Sequence, residues 1–203
     1  MLFRSLIVLA GLVVLAFRLA WGRRVARYRA VAERQGWQLA MPPRRTRDWT
    51  AQFTGHSAGF PFVAKVGIEV ARCDVQLPVQ VPDVTVDPSP LMRDRPYLIN
   101  GMRVAIGGSW YDEDALRRAI EFAYDLVTRD IVSRTRGHDL SGWSIGQATL
   151  HYGWSGRISD AGLVDLVRSV TALAAAIPPS VLARHALSES EVAAREARRA
   201  QPR

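Results

Sequence analysis

The chain is poor in several residues that would narrow its chemistry. It has one cysteine, Cys73, so no intrachain disulfide is possible. No CxxC pair or Cys/His spacing suits a metal. Its four histidines, His56, His138, His151 and His185, are scattered and form no HExxH pattern. There is no P-loop and no GxGxxG, so neither phosphate-binding fingerprint is present. We expect no metal and no cofactor. Lysine is nearly absent too: Lys65 is the only one, and the other basic residues are arginines.

What is abundant is positive charge, and it is unevenly placed. The net charge is +8 over 203 residues. Residues 1 to 47 hold ten arginines against Glu33 alone, whereas the remainder is close to balanced. A nucleic-acid module carries its basic face on the folded part. Here the charge lies beside a hydrophobic run, which points to lipid headgroups and away from nucleic acid.

That run is "LIVLAGLVVLAF", Leu6 to Phe17, twelve apolar residues without a break. From Leu2 to Trp21 the stretch has about the 20 residues needed to cross a bilayer. Arg4 and Arg18 lie near its ends, where a guanidinium snorkels to the headgroups. A cleaved signal peptide would need small residues at −3 and −1, and "AFRLAWGRR" offers no clean A-x-A. A core helix would leave the arginine cluster unexplained. We therefore expect a transmembrane helix over 1–22 and a basic stalk and linker over 23–48. An α+β domain follows over 49–187, then a polar tail over 188–203. Arg23, Arg24, Arg27, Arg29 and Arg34 follow the span, so the positive-inside rule puts the body in the cytoplasm beneath the inner membrane. Partners expected are the bilayer and anionic phospholipids held by Arg23, Arg24, Arg27 and Arg29.

The body reads as an antiparallel sheet packed with two long amphipathic helices. "WTAQFT" (49–54) is a short strand. "FPFVAKVGIEVA" (60–71) alternates with period two and reads as one strand, with Phe60, Phe62, Val66, Ile68 and Val70 facing one way. In "DVQLPVQVPDVTV" (74–86), Pro78 and Pro82 share parity, which suits an edge strand. "MRVAIGG" (102–108) is a further strand. Residues 111–137 read as one helix, capped by Asp112 with Glu113 and Asp114 at its positive end. Its stripe is Leu116, Ile120, Ala123, Val127 and Ile131. The repeated Gly-Trp-Ser at 142 and 153 marks a hairpin turning near Gly146-Gln147; its tryptophans either cover a core edge or stack on a sugar or partner. A second helix spans 159–181, lined by Leu163, Leu166, Val167, Val170, Leu173 and Ile177, and ended by Pro178-Pro179. Ser188-x-x-Glu191 is a capping box opening a solvated tail helix, with Glu191 and Arg195 as an i,i+4 pair.

One motif suggests chemistry. Gly55-His56-Ser57-Ala58-Gly59 matches G-x-S-x-G, the nucleophile elbow. An elbow needs a strand before and a helix after, but a period-two strand follows. A hairpin turn with glycine geometry fits better. The alternative is a membrane-tethered hydrolase using Ser57, with Asp125, Asp139, His151 or His185 as partners; a second alternative is an exported domain released by cleavage. No catalytic residue is assigned.

The arrangement resembles small, uncharacterised bacterial membrane-anchored proteins. In these a hydrophobic N-terminal helix leads into an α+β body and a late helix ends in Ile-Pro-x-x-Val, here Ile177 to Val181. The resemblance implies a membrane anchor and no known activity. The function expected is a cytoplasmic binding or scaffolding module at the membrane.

Overall fold

The computed structural model describes residues 2–41, 51–87, 97–106, 113–138, 140 and 142–200; the side chains of 2–14, 17, 18, 87 and 198–200 are outside that description. The expected Asp112 cap, Asp139 and the loop over 88–96 therefore lie outside the described residues.

The chain opens with α1 (Leu2–Gln35), 34 residues without a break and about 50 Å long. Gly36 ends it as the sequence suggested. Its φ is +67°, and the paired bonds Trp37 N–H to Ala32 carbonyl and Gly36 N–H to Glu33 carbonyl close a Schellman cap. Among the described residues no helix is long and apolar enough to cross a membrane. Most of the run Leu6 to Phe17 falls outside the described side chains, so the fold itself does not support the expected spanning helix.

Among the described residues nine strands form one antiparallel sheet, in the order β1-β2-β3-β4-β9-β8-β5-β7-β6. They are β1 (Gln38–Ala40), β2 (Ala51–Ser57), β3 (Phe60–Val66), β4 (Val70–Gln76), β5 (Val84–Asp87), β6 (Tyr97–Ile99), β7 (Met102–Ile106), β8 (Trp143–Gly146) and β9 (Thr149–Ser155). The α+β class is as expected. Helices α2 (Glu113–Leu126), α3 (Arg129–Gly137), α4 (Asp160–Ala176), α5 (Pro179–Arg184) and α6 (Glu189–Ala200) complete the body. The inward rows of the strands, such as Phe53, Phe62, Val75, Tyr152, Ile145, Val86 and Val104, are buried with α4, the α2–α3 segment and the end of α1. That end contributes Tyr28, Val31 and Ala32, and Trp37 follows. Tyr28 and Trp37 both meet Phe53 edge-on, with centroids 5.6 and 6.3 Å apart.

Four readings are corrected. The alternating run 60–71 is two strands joined by a tight turn at Gly67–Glu69, where the Gly67 N–H bonds the Val70 carbonyl. Val66 opposes Ala71, so the inward parity switches across the turn. Phe62, Ala64 and Val66 point in, whereas Ile68 and Val70 are exposed. Secondly, residues 74–82 are not an edge strand. β4 is central, and after Gln76 the chain crosses the end of the sheet irregularly to β5. Pro78 and Pro82 sit in that crossing, where no ladder needs their N–H groups. Thirdly, the long helix breaks at Thr128, which is extended (φ −70°, ψ 168°) and whose hydroxyl accepts from the Ile131 N–H. The inward stripe of α2 is Ala119, Phe122, Ala123 and Leu126; of the residues read by periodicity, Ala123, Val127 and Ile131 are buried, whereas Leu116 is exposed and Ile120 half-buried. Fourthly, the tail is not merely solvated: its Arg195 is buried.

Two hairpins are as expected. Ser57 pairs with Phe60 across Ala58-Gly59, at φ +50° and +84°. β8 and β9 turn at Gln147-Ala148, at φ +53° and +57°, with no glycine to relieve the left-handed backbone. Helix α4 starts at Ser159, whose hydroxyl accepts from the Gly162 N–H, and Ile177-Pro178 ends it. Its six expected inward residues, Ile177 included, are all buried.

Candidate functional site

Ser57 sits at the end of β2 with a strand on both sides of its turn, so the strand-to-helix elbow is absent. Its hydroxyl lies 2.9 Å from that of Thr171, which in turn donates to the Val167 carbonyl of α4. Among the described residues no histidine or carboxylate is bonded to Ser57. The pairing fastens the β2–β3 turn to α4. Ser57→Ala is expected to lower stability by about 1 kcal/mol, the net worth of one such bond, read from a urea midpoint with unchanged slope.

Three of the hydrolase partners considered, Asp125, His151 and His185, are engaged elsewhere. His185 and Asp125 meet each other, Nε2 to Oδ2 at 2.8 Å, and Arg184 reaches the same oxygen at 2.9 Å. The His185 bond, opposed by some desolvation and supported by Arg184, holds the Asp125 carboxyl below its usual range. The group ties the α5 end to α2.

His151 belongs to a cluster on the helix-free face of the sheet. Register places Asp74 opposite His151 and Arg72 opposite Gly153. Asp74 Oδ1 receives His151 Nδ1 at 2.8 Å and Arg72 Nε at 2.6 Å. Burial pushes the Asp74 carboxyl up, but the His151 and Arg72 bonds outweigh it and the net shift is downward. A depressed folded-state pKa contributes stability above the unfolded aspartate value of about 3.9. That contribution is lost as pH falls through the lower folded value. Asp74→Asn is expected to flatten this part of the acid limb, measured by urea midpoints at descending pH below 5.

A concavity that brings polar and apolar groups together lies between α3, α4 and the end of β9. Its volume is about 230 Å³, with Leu140, Tyr152, Trp154, Ile158 and Leu166 as apolar walls. Its polar side is His138, Asp165 and Ser169. Asp165 and Ser169 are one turn apart on α4, and Ser169 Oγ lies 3.2 Å from His138 Nδ1. Leu140 and Tyr152 are buried, and Trp154 is 37% exposed. The cleft is smaller than the pockets that enclose drug-sized ligands, so it suits part of a ligand or one apolar side chain of a partner. Sequence reading missed it because its walls come from three distant segments. The Gly-Trp-Ser repeat was the available signal, and the two copies divide: Trp143 is core, its Nε1 donating to Thr135 Oγ1 at 3.2 Å, whereas Trp154 walls the cleft.

Cys73 is buried on the inward face of β4, and desolvation, aided by Asp74, pushes its thiol up and keeps it unreactive. Among the described residues no group of three or more His, Cys, Asp or Glu is placed to hold a metal.

The arginine collar is partly engaged by the body. Arg27 forms a two-pronged pair with Asp160 at the start of α4, with Nη2 to Oδ1 at 2.7 Å. The Asp160 hydrogen bond and charge raise its pKa further. Arg23 and Arg29 are exposed and Arg24 half-buried. Among the described residues no carboxylate pairs with these three.

No protein-family model matches the chain, and no curated protein matches it. Among solved structures, the crystal structure of the mycobacterial trehalose monomycolate transport factor A, TtfA, is similar with a TM-score of 0.46 and 15% identity, covering 77% of this chain and 93% of that one. A likeness at that level carries no argument about function.

Proposed function

We propose that the chain is a single-pass membrane-anchored module whose α+β body binds or scaffolds a partner at the cytoplasmic face of the cell membrane. One observation carries this reading. The helix holding the apolar run Leu6 to Phe17 continues unbroken into the body, and its last turns are core. The buried Tyr28 comes seven positions after Trp21, which is about 10 Å of helix. A body joined so closely cannot swing freely as one on a flexible linker does. Arg23, Arg24 and Arg29 then lie at headgroup depth, free to hold anionic phospholipid, while Arg27 fixes α1 to α4. The positive-inside rule supplies the orientation. The cleft beside Trp154 and the open sheet face are the surfaces left for a partner.

The test is cell fractionation with reporter fusions after Arg203. The chain is expected in the membrane fraction, resisting carbonate and released by detergent. A fluorescent protein fused there is expected to be bright and an alkaline phosphatase fusion inactive. An active phosphatase fusion would reverse the orientation; recovery in the soluble fraction with residue 1 still present would overturn the anchor.

A further inference from the structure

The sheet has two ends, and the fold fixes which one α1 leaves from. Helix α4 starts just past the C-terminal end of β9 and runs back toward the β2–β3 turn, where Thr171 meets Ser57. Arg27 pairs with Asp160, at the first of these ends. Val31 and Arg34 line a cleft with Val164 and Arg168, further along α4. The two helices therefore run side by side in the same direction. The rings agree: Tyr28 meets Phe53, and nine residues later Trp37 meets Phe62 and crowds Gly55, nearer the β2–β3 turn. So the N-terminal part of α1 leaves past the end made by the β3–β4 turn and the end of β9. Those two are themselves joined, by the Gly156 N–H on the Glu69 carbonyl at 2.6 Å.

Of the seven large apolar side chains that the described body leaves exposed, Tyr97 and Leu98 lie on β6 and Leu116 and Tyr124 on α2, and the other three gather in one place. Ile68, at the tip of the β3–β4 turn, is 55% exposed, Val70 41% and Trp154 37%. All three lie at the end from which α1 departs. Arg157 is exposed beside them, and Glu69 is the acid on the same tip. An apolar tip, a half-exposed indole and arginine at the rim is the composition that inserts shallowly at an anionic bilayer surface. The sheet twists by roughly 20° per strand, so the inference is confined to β3, β4 and β9, the strands close to α1.

We infer that Ile68, Val70 and Trp154 form a second membrane contact, resting the β3–β4 turn and the end of β9 on the headgroup region of the leaflet that α1 enters. The inference rests on the anchored reading of α1 and adds to it. A body fixed to one helix still tilts with that helix in the bilayer, whereas one with two contacts presents the Trp154 cleft at a fixed depth.

The experiment uses the full chain in vesicles of phosphatidylcholine and phosphatidylglycerol, spin-labelled at one introduced cysteine. Cys73 is buried and does not compete for label. Labels go at Leu15→Cys, Ile68→Cys and Leu98→Cys; Leu98 is exposed on the distant edge strand β6. Glu69→Cys replaces Ile68→Cys if that variant folds poorly. The readout is the ratio of collision with oxygen, which partitions into lipid, to collision with a water-soluble nickel chelate. At positions 15 and 68 the ratio is expected to be severalfold above that at 98. A high ratio at 15 with position 68 no different from 98 overturns the second contact and leaves the anchor standing. A low ratio at both overturns the anchor and this inference together. Position 68 shielded from both reagents, with spin–spin broadening between chains, gives the surface to a second copy and overturns the lipid contact.

Discussion

Arg195→Met is expected to cost about 3–5 kcal/mol, the price of breaking a buried ion pair from one side. Arg195 and Asp83 are each 8% exposed, and the guanidinium Nη2 bonds the Asp83 carboxylate. A second nitrogen, Nη1, reaches the Val81 carbonyl at 3.4 Å. The site depends on a missing side chain as well: a Cβ on Gly146 would sit 2.9 Å from Asp83 Oδ1. Methionine fills much of the same volume but leaves the carboxylate without this cation in a dry setting. Three to five kcal/mol is a large part of the 5–15 that a domain possesses. The double variant Asp83→Asn, Arg195→Met is expected to recover most of the loss, because the buried charge that lost its arginine is gone. Urea midpoints of the wild type and both variants check this. A single variant within 1 kcal/mol of wild type would show the pair to be solvated in practice.

That pair also marks a limit on what is legible in the sequence. The capping box was legible, and Ser188 and Glu191 make it: Glu191 accepts from the Ser188 N–H at 2.8 Å, and Ser188 Oγ from the Glu191 N–H at 3.4 Å. Such signals are local, set by hydrogen bonds between residues three apart. The partners of Glu191 and Arg195 were not legible, because the i,i+4 neighbour lost to distant ones. Glu191 turns to Arg118 on α2, and Arg195 to Asp83. Surface pairs along a helix are worth only about 0.2–0.5 kcal/mol, too little to hold two long side chains against better-buried partners.

The strands show the same division. Alternation identified Phe62 and Val66 as inward correctly. It did not reveal the turn after them, because Ile68 and Val70 keep the parity while changing face. A two-residue turn in an apolar sequence leaves no composition signal beyond Gly67. Pro78 and Pro82 correctly excluded a central strand there, but an irregular crossing satisfies the same exclusion as an edge does. Thr128 was hidden by apolar residues on either side, Val127 and Ile131, that continue a helical stripe. The clefts could not be anticipated, since their walls come from segments that only the topology brings together.

A chain begun at residue 49, where composition changes from basic to neutral, is expected not to fold. One begun at residue 23 is expected to keep the fold. The shorter form lacks Tyr28, Val31 and Trp37, all buried, and strand β1, which pairs with β2 from Gln38↔Thr54 to Ala40↔Gln52. Burying those three side chains contributes roughly 5–9 kcal/mol at about 1.5–3 each, comparable to the whole stability of a domain. Their loss bares Phe53 and Phe62 on the inward face and turns β2 into an unpaired edge, which invites aggregation. The form begun at 23 retains every one of these contacts and the Arg27–Asp160 pair. Circular dichroism melts and size-exclusion profiles of the two forms decide it. A cooperative, monodisperse fragment from residue 49 would mean that the end of α1 is a passenger on the sheet. Loss of folding there alone would make the end of α1 and the body one cooperative unit, so that force or tilt on the helix is felt in the core.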